Sequence, residues 1–596
     1  MSPQLLTDPF LQHPTPGGVR VVWFTEFEGQ NHRVRWGAPA QSIQAPQANL
    51  PHQAAAITTR LTRSREDGDS RWQRPDGANL GPTVPRPIWR HEALVTGLPP
   101  GQRVPYRVAS TGPDGTEVES QIFTLAGAPP TGQPLKILLT SDHQNMPMTA
   151  ANLQKVEETI GRLDAVFLAG DLVNIPDRAS EWFDDSRGSG FFPCLQGKTS
   201  YALERNGLTT RYRGGELIQH APLFVALGNH EVMGRFAATA PLNQQFNQPR
   251  PRAAATALYE ANADLFNPTG DPAVRRQWII DNSFNTTTYD ELFSLPVSPV
   301  PNPNRPETTS HYYATSFGDV RLVTLYVTQI WRPFNLSPTT RGRYQEREAD
   351  LNTPQNWGHG QHIFEPIEPG SLQYRWLEQE LASEAFRQAK YKVVMFHHPP
   401  HTLGDNIVPP FTPPVPHYDR DNAGRLVALR YQYPRAQDQI IGDLVPLLEQ
   451  AGVDLVFYGH SHLWNRFVSP QGTHYLETSN VGNTYNAFWR NRLRPVPPET
   501  IDGSTITYSS ADYVAQGDPN GLDPVVPTLA PRRDDDGNPL PYLASNDITA
   551  FSILETETGT VSSYYFDTRL PGSAVVKFDE FRLGAAQRSG NQAAAH

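Results

Sequence analysis

Two rhythms of apolar residues divide the chain. Between residues 17 and 125 the apolar positions come in short alternating runs, GVRVVWFTEF, HRVRWG, HEALVTGL, QRVPYRVAS and EVESQIFTL, broken by Gly, Pro and Asp. Alternation at period two puts one face of each run on a core and the other in water, so the series predicts an all-β sandwich of fibronectin type III-like character. From Lys136 the pattern changes. KILLT and AVFLAG are short continuous apolar runs, and TAANLQKVEETIGRL between them spaces its apolar residues as a helix does; together they predict a strand–helix–strand unit. LFVALGN reads as a further strand, and HYYATSFG with DVRLVTLYV as a hairpin. SLQYRWLEQELASEAFRQAK reads as one amphipathic helix feeding YKVVMFHH, and IIGDLVPLLEQAG as a helix feeding VDLVFYGH. DITAFSILET and TVSSYYFDT form a closing hairpin.

Alternation of strand and helix predicts an α/β core. The expected organisation is a β-sandwich at 17–125, a Pro- and Gly-rich linker at 126–135, an α/β domain at 136–568 and a loose tail at 569–596. Five long insertions, 175–220, 235–308, 332–368, 402–436 and 486–545, interrupt the predicted elements. Loops of that length serve as substrate walls and lids or as surface decoration, and the sequence leaves both readings open.

Composition narrows the function classes. Proline is abundant, at 57 residues, while only 19% of residues are charged, which fits irregular loops on a globular frame rather than disorder throughout. The net charge is −11 and no dense basic block appears, which argues against a nucleic-acid or anionic-membrane partner. Cys194 is the single cysteine, so no intrachain disulfide forms, and no His or Cys lies near it in sequence to make a catalytic thiol. The first residues lack a basic stretch followed by an apolar one, and no apolar run approaches the roughly 18 residues of a membrane span. A soluble protein is expected, cytoplasmic as the sequence is written and periplasmic or extracellular if a leader is missing from it.

The chemistry lies in five polar blocks, each at or just after the end of a strand-like run: Ser141-Asp142-His143-Gln144, Gly170-Asp171, Gly228-Asn229-His230-Glu231, His397-His398, and Gly459-His460-Ser461-His462. In α/β sheets ligands gather beyond the carboxyl ends of the strands, so blocks far apart in sequence can converge. Their side chains supply carboxylates, an amide oxygen and several imidazoles. Such a set suits two metal ions clamping a phosphoryl group, with one carboxylate bridging them.

The blocks resemble the signature of the calcineurin-like metallophosphoesterase superfamily, D-x-[HG], G-D, G-N-H-[ED], a His after an apolar strand, and G-H-x-H. With the β-rich region ahead of them, they resemble bacterial proteins of purple-acid-phosphatase-like type. The resemblance implies two mixed β-sheets flanked by helices after the fibronectin-like sandwich. It implies two divalent metal ions (manganese, iron, zinc, magnesium or calcium) and a small phosphate-ester substrate, a monoester above all, attacked by a metal-held hydroxide. Asp142 and His462 would bind the first metal, Asp171 would bridge, and Asn229, His397 and His460 would bind the second. His230 would face the phosphate and protonate the leaving group, oriented by Glu231, and His398 would line the pocket. Two positions depart from the family. Gln144 and Asn174 stand where relatives carry a His or a Tyr ligand, so an amide oxygen from either is the expected replacement. That oxygen-rich first site leans toward manganese, iron(II), magnesium or calcium.

Smaller readings stay open for other residues: Trp357, His359 and His362 either reach the cleft or belong to a surface loop, Tyr313, His401 and Trp464 either contact substrate or pack or face solvent, and Asn483 and Tyr485 are candidates for the rim. Two other functions remain open: a phosphodiesterase or nucleotidase, favoured by aromatics in the cleft, and a non-catalytic binding protein with a degraded first metal site.

Overall fold

The computed structural model of the protein describes residues 3–39, 49–70, 72–74, 76–184, 189–300, 307–330, 344–492, 494, 499–501, 504–506 and 522–584. Two antiparallel sheets open the chain. One orders Phe10–Thr15, Gly18–Thr25, Trp89–Thr96 and Ile57–Arg60; the other contains Glu117–Glu119, Val104–Thr111, Gln30–Trp36 and His52–Ala55, with Phe123–Leu125 on Val104–Thr111. Trp23, Val34, Val95, Tyr106 and Val108 fill the space between them, as the alternating pattern requires. The runs flanking Pro99-Pro100-Gly101 fall in different sheets, so this turn carries the chain across the sandwich.

Two mixed sheets follow. The first orders Leu223–Val225, Ala165–Leu168, Lys136–Thr140, Ile548–Glu555, Thr560–Asp567 and Val576–Arg582. Its first three strands run parallel. The second sheet has a parallel centre of Val320–Thr324, Tyr391–Met395, Leu455–Tyr458 and His474–Thr478. Side-chain alternation along these strands builds the layers. Val393 and Met395 face the core shared with the first sheet, whereas Val394 and Phe396 face Leu377, Leu381 and Leu448 on helices behind. Helix Thr149–Ile160 covers the other face of the first sheet with Leu153 and Val156. The result is the expected pair of mixed β-sheets flanked by helices.

Three local expectations need correction. The run from Ser371 makes two helices, Leu372–Leu381 and Glu384–Gln388, because the Ser383 hydroxyl accepts the Phe386 N–H and starts the second. The segment IIGDLVPLLEQAG divides into a π-helical turn, Gln439–Leu444, and helix Val445–Gln450. The tail expected to be loose from 569 includes Val576–Arg582, which pairs as an edge strand with Thr560–Asp567; its last residues, 585–596, lie outside the described residues. Among the described residues no helix is long and apolar enough to cross a membrane.

Candidate metal centre

The five blocks converge where the carboxyl ends of the two mixed sheets meet. Asp142, Asp171 and the Asn229 block follow the three parallel strands of the first sheet, and the His397 and His460 blocks follow adjacent parallel strands of the second. Hydrogen bonds tie the ends together. The Asp142 N–H donates to Gly170 O at 3.1 Å and the Gly459 N–H to His397 O at 3.0 Å. Between sheets, the His460 N–H reaches both Asp142 carboxylate oxygens, at 3.1 and 3.0 Å, and His397 Nδ1 lies 2.8 Å from Ala169 O.

Close approach explains the glycines. A Cβ on Gly170 would stand 2.6 Å from Gly228 N and 2.9 Å from His397 Nδ1; one on Gly228 would strike Asp171, and one on Gly459 would strike Ser141 and Asp142. The single glycine before Asn229 therefore serves for packing as much as for the turn. Residues of the polar blocks also carry backbone strain: Asp142, Gln144, Asp171, His460 and His462 have φ of 56°, 39°, 54°, 76° and 57°. Positive φ is costly for side chains with a Cβ and persists where surrounding contacts enforce it.

Two groups of donors result. Asp142, Asp171 and His462 bring their ligand atoms within 4.8 Å of one another, and so do His397, His398 and His460. Asp171 touches both groups, since its Oδ2 lies 3.2 Å from His397 Nε2. Burial opposes charge on Asp171, yet His397 and His230 hold its carboxyl well below the usual range. Burial likewise works against charge on His397, but Asp171 beside it raises the imidazole to about 10. Asn229 Oδ1, His398 Nδ1 and His460 Nδ1 are buried with no hydrogen-bond partner among the described residues. Buried polar atoms left in that state mark places where a ligand belongs. Carboxylates, imidazoles and an amide oxygen, several of them orphaned and aimed at a common space, fit divalent metal ions.

Each expected residue can now be placed. The His462 ring is set by its Nδ1, 3.0 Å from Asn483 O, which leaves Nε2 3.3 Å from Asp142. Tyr485 stacks on that ring at 5.2 Å, so the expected rim residues Asn483 and Tyr485 do border the centre. His398 stacks on His460 at 4.0 Å and stands inside a donor group, deeper than a pocket-lining role. His230 donates its backbone N–H to Asp171 Oδ1 at 2.9 Å, and its Nδ1 lies 2.8 Å from Asn174 O. That bond makes Nδ1 the protonated nitrogen and leaves Nε2 for other chemistry.

Three expected roles are corrected. Gln144 turns its amide N–H to Asp171 Oδ2 at 2.9 Å; in this orientation it braces the carboxylate, and its oxygen is engaged by Asn483 at 3.0 Å. Asn174 gives its side-chain N–H to the Gln144 carbonyl at 2.6 Å and acts through its own carbonyl on His230. Glu231 does not touch the His230 ring. Its carboxylate accepts three backbone N–H groups, from Asp171 at 2.8 Å, Leu172 at 2.7 Å and Gly228 at 2.7 Å, and so clamps two blocks together. Burial, and then the Asp171 charge, push the Glu231 carboxyl up to about 8 against those donors.

A cavity of about 290 Å³ opens from the centre. Asp171, Asn229, His230, His460 and His462 form its floor; Phe246, Ile330, Phe364 and Asn406 are among its walls. Asn243, Phe246 and Asn247 come from the 235–308 insertion, Phe364 from 332–368 and Asn406 from 402–436. These insertions therefore supply walls of the site. No periodicity or motif signals them in the sequence. Asn406 also donates to His460 O at 2.5 Å. The remaining minor expectations fall elsewhere. Tyr313 donates to Val225 O within the core, Trp464 donates to Ser563 in the core, and His401 stacks on Phe467. Trp357, His359 and His362 are not among the described lining residues, and Cys194 is part of the hydrophobic core.

The chain belongs to the calcineurin-like phosphoesterase family, whose model matches residues 135–463 and so spans all five blocks. No curated protein matches it. Among solved structures, a purple acid phosphatase from yellow lupin (Lupinus luteus) seeds is similar at 14% identity and a TM-score of 0.47, covering 96% of this chain and 73% of its own. A dimetal phosphatase from Danio rerio is similar at 12% identity and a TM-score of 0.30, covering 75% of this chain and 99% of its own.

Proposed function

We propose that the protein hydrolyses small phosphate monoesters with two divalent metal ions, one held by Asp142, Asp171 and His462 and the other by Asn229, His397 and His460, with His398 adjacent. The observation that carries this reading is the position of Asp171, a carboxylate grouped with Asp142 and His462 yet 3.2 Å from His397 of the other group. Bound metal ions would supply Lewis-acid charge to the phosphoryl group and acidify a water. The chain's own contribution is placement. Gln144, Glu231 and the His230 N–H hold the Asp171 carboxylate and its backbone. With Nδ1–H committed to Asn174, His230 in its doubly protonated form carries a second proton on Nε2, and that is the proton it can hand to the departing alcohol oxygen, leaving the neutral Nδ1–H ring. The apolar wall seats the alcohol part of the ester. In this reading residues 17–125 form one module, 126–135 the link and 136–568 the catalytic module.

Phe246, Phe364 and Tyr485 around the cavity favour a second reading, in which the substrate is a nucleotide or a diester. A substrate panel separates the two. Protein loaded with manganese is expected to hydrolyse p-nitrophenyl phosphate roughly tenfold faster than bis-p-nitrophenyl phosphate, to lose activity to a chelator and to regain it when metal is returned. The reverse preference, or a preference for nucleotides, establishes the second reading. Failure to hydrolyse any ester with metal present contradicts both.

A further inference from the structure

In the segment joining strand Ile57–Arg60 to strand Trp89–Thr96, residues 62–67 and Arg86 reach side chains and backbone of the catalytic domain. Arg65 of this segment pairs with Asp177 at 2.5 Å, and its N–H donates to Asp177 O at 3.0 Å. The fully buried guanidinium of Arg86 reaches Asp184 at 2.7 Å. The segment is thus fastened to the stretch that follows Asp171. At its centre lies Asp67, whose carboxylate is completely buried.

Asp67 works in two directions. In one, both its oxygens take Arg178 Nη2 at 3.1 Å, and Arg178 Nη1 reaches Glu181 Oε1 at 2.8 Å. Glu181 Oε2 then accepts the N–H groups of Asn174 and Ile175 at 2.7 and 3.0 Å, and the Asn174 carbonyl faces His230 Nδ1 at 2.8 Å. In the other, Asp67 Oδ2 accepts the Leu242 N–H at 2.7 Å. Leu242 starts the short helix Leu242–Phe246, and the Phe246 ring lies 5.2 Å from the His230 ring, tilted by 31°. One carboxylate outside the five blocks therefore sets both the hydrogen bond that fixes the His230 tautomer and the ring packed beside it. Charge-assisted hydrogen bonds of this kind are short and directional, and burial strengthens them.

We propose that Asp67 is a positioning residue for His230, so that the N-terminal segment is a working part of the catalytic centre. This rests on His230 serving the leaving group as proposed above. Misplacing a proton donor harms esters of poor leaving groups and spares those whose alcohol departs without help. A purely supportive residue would depress both alike.

The test is Asp67→Asn, which keeps the side-chain shape but removes the charge and one acceptor. On a simple alkyl phosphate its kcat is expected to fall about tenfold with KM little changed, while on p-nitrophenyl phosphate the fall stays below about threefold. Metal content should match the parent. Hydrogen exchange should quicken in peptides covering 174–181 and 242–246, because the Leu242 amide loses its acceptor and Arg178, released from Asp67, holds Glu181 less firmly on the Asn174 and Ile175 amides. In a His230→Ala background the same substitution should add nothing, since the two act as one unit. Arg178→Lys, which keeps the charge but loses the fork of donors, should show the same pattern more weakly and serves if Asp67→Asn folds poorly. Equal losses on both esters, or a further loss in the His230→Ala background, would overturn the role of Asp67 alone. If His230→Ala itself shows no dependence on the leaving group, the reading of His230 falls, and the inference with it.

Discussion

Replacing Asp171 with Asn is expected to strip metal from the protein and lower phosphoester turnover about a thousandfold or more, because the centre loses the one charge shared by its two halves. The substitution preserves shape, so the effect isolates charge. Asp171 is fully buried, with Oδ1 taking the His230 N–H at 2.9 Å and Oδ2 taking Gln144 at 2.9 Å and facing His397 at 3.2 Å. An Asn there can satisfy some of these partners but cannot balance two cations. The larger change, Asp171→Ala, would further release Gln144 and the His230 backbone, and its loss of activity would mix chemistry with disorder. Metal analysis and steady-state rates on the Asn variant read the effect; a variant that keeps both metal and turnover would remove Asp171 from the centre.

The second large effect belongs to His230, and its size should depend on the substrate. His230→Ala is expected to lower kcat on alkyl phosphates about a hundredfold or more, within the usual span of general acid catalysis, and to cost far less on p-nitrophenyl phosphate. The structural reason is the tautomer. With Nδ1 held 2.8 Å from Asn174 O, the imidazole can transfer a proton only through Nε2. Rates across a series of esters graded by leaving-group acidity measure this directly. Parallel lines for parent and variant would show that His230 does no proton transfer to the leaving oxygen.

These expectations rest on residues that were unevenly legible in the sequence. Asp142, Asp171, Asn229, His397, His460 and His462 could be read because each follows a short apolar strand, and parallel strands deliver their carboxyl ends to one place. What lies around them was harder to read. Glu231 adjoins His230 in sequence, yet the tight turn through Asn229–Glu231 sends its carboxylate back to the backbone of Asp171 and Leu172. Gln144 and Asn174 carry amides whose use depends on what tertiary neighbours offer. Asn483 at 3.0 Å and the Gln144 carbonyl at 2.6 Å are partners that no local pattern reveals. The cavity wall and Asp67 come from segments without periodicity, held by long-range contacts. In the β-sandwich and the mixed sheets, by contrast, period-two runs and buried runs marked most strands. The interrupted helix after Ser371 shows the limit, since the Ser383 cap overrode a continuous amphipathic pattern.

The binding of two metal ions per chain is the centre of this account, and elemental analysis of the purified, manganese-reconstituted protein measures it most directly. The parent is expected to hold two ions per chain, His397→Ala to hold at most one, and p-nitrophenyl phosphate hydrolysis to follow the doubly loaded fraction. A parent that holds one ion or none while still hydrolysing the ester at full rate would contradict it.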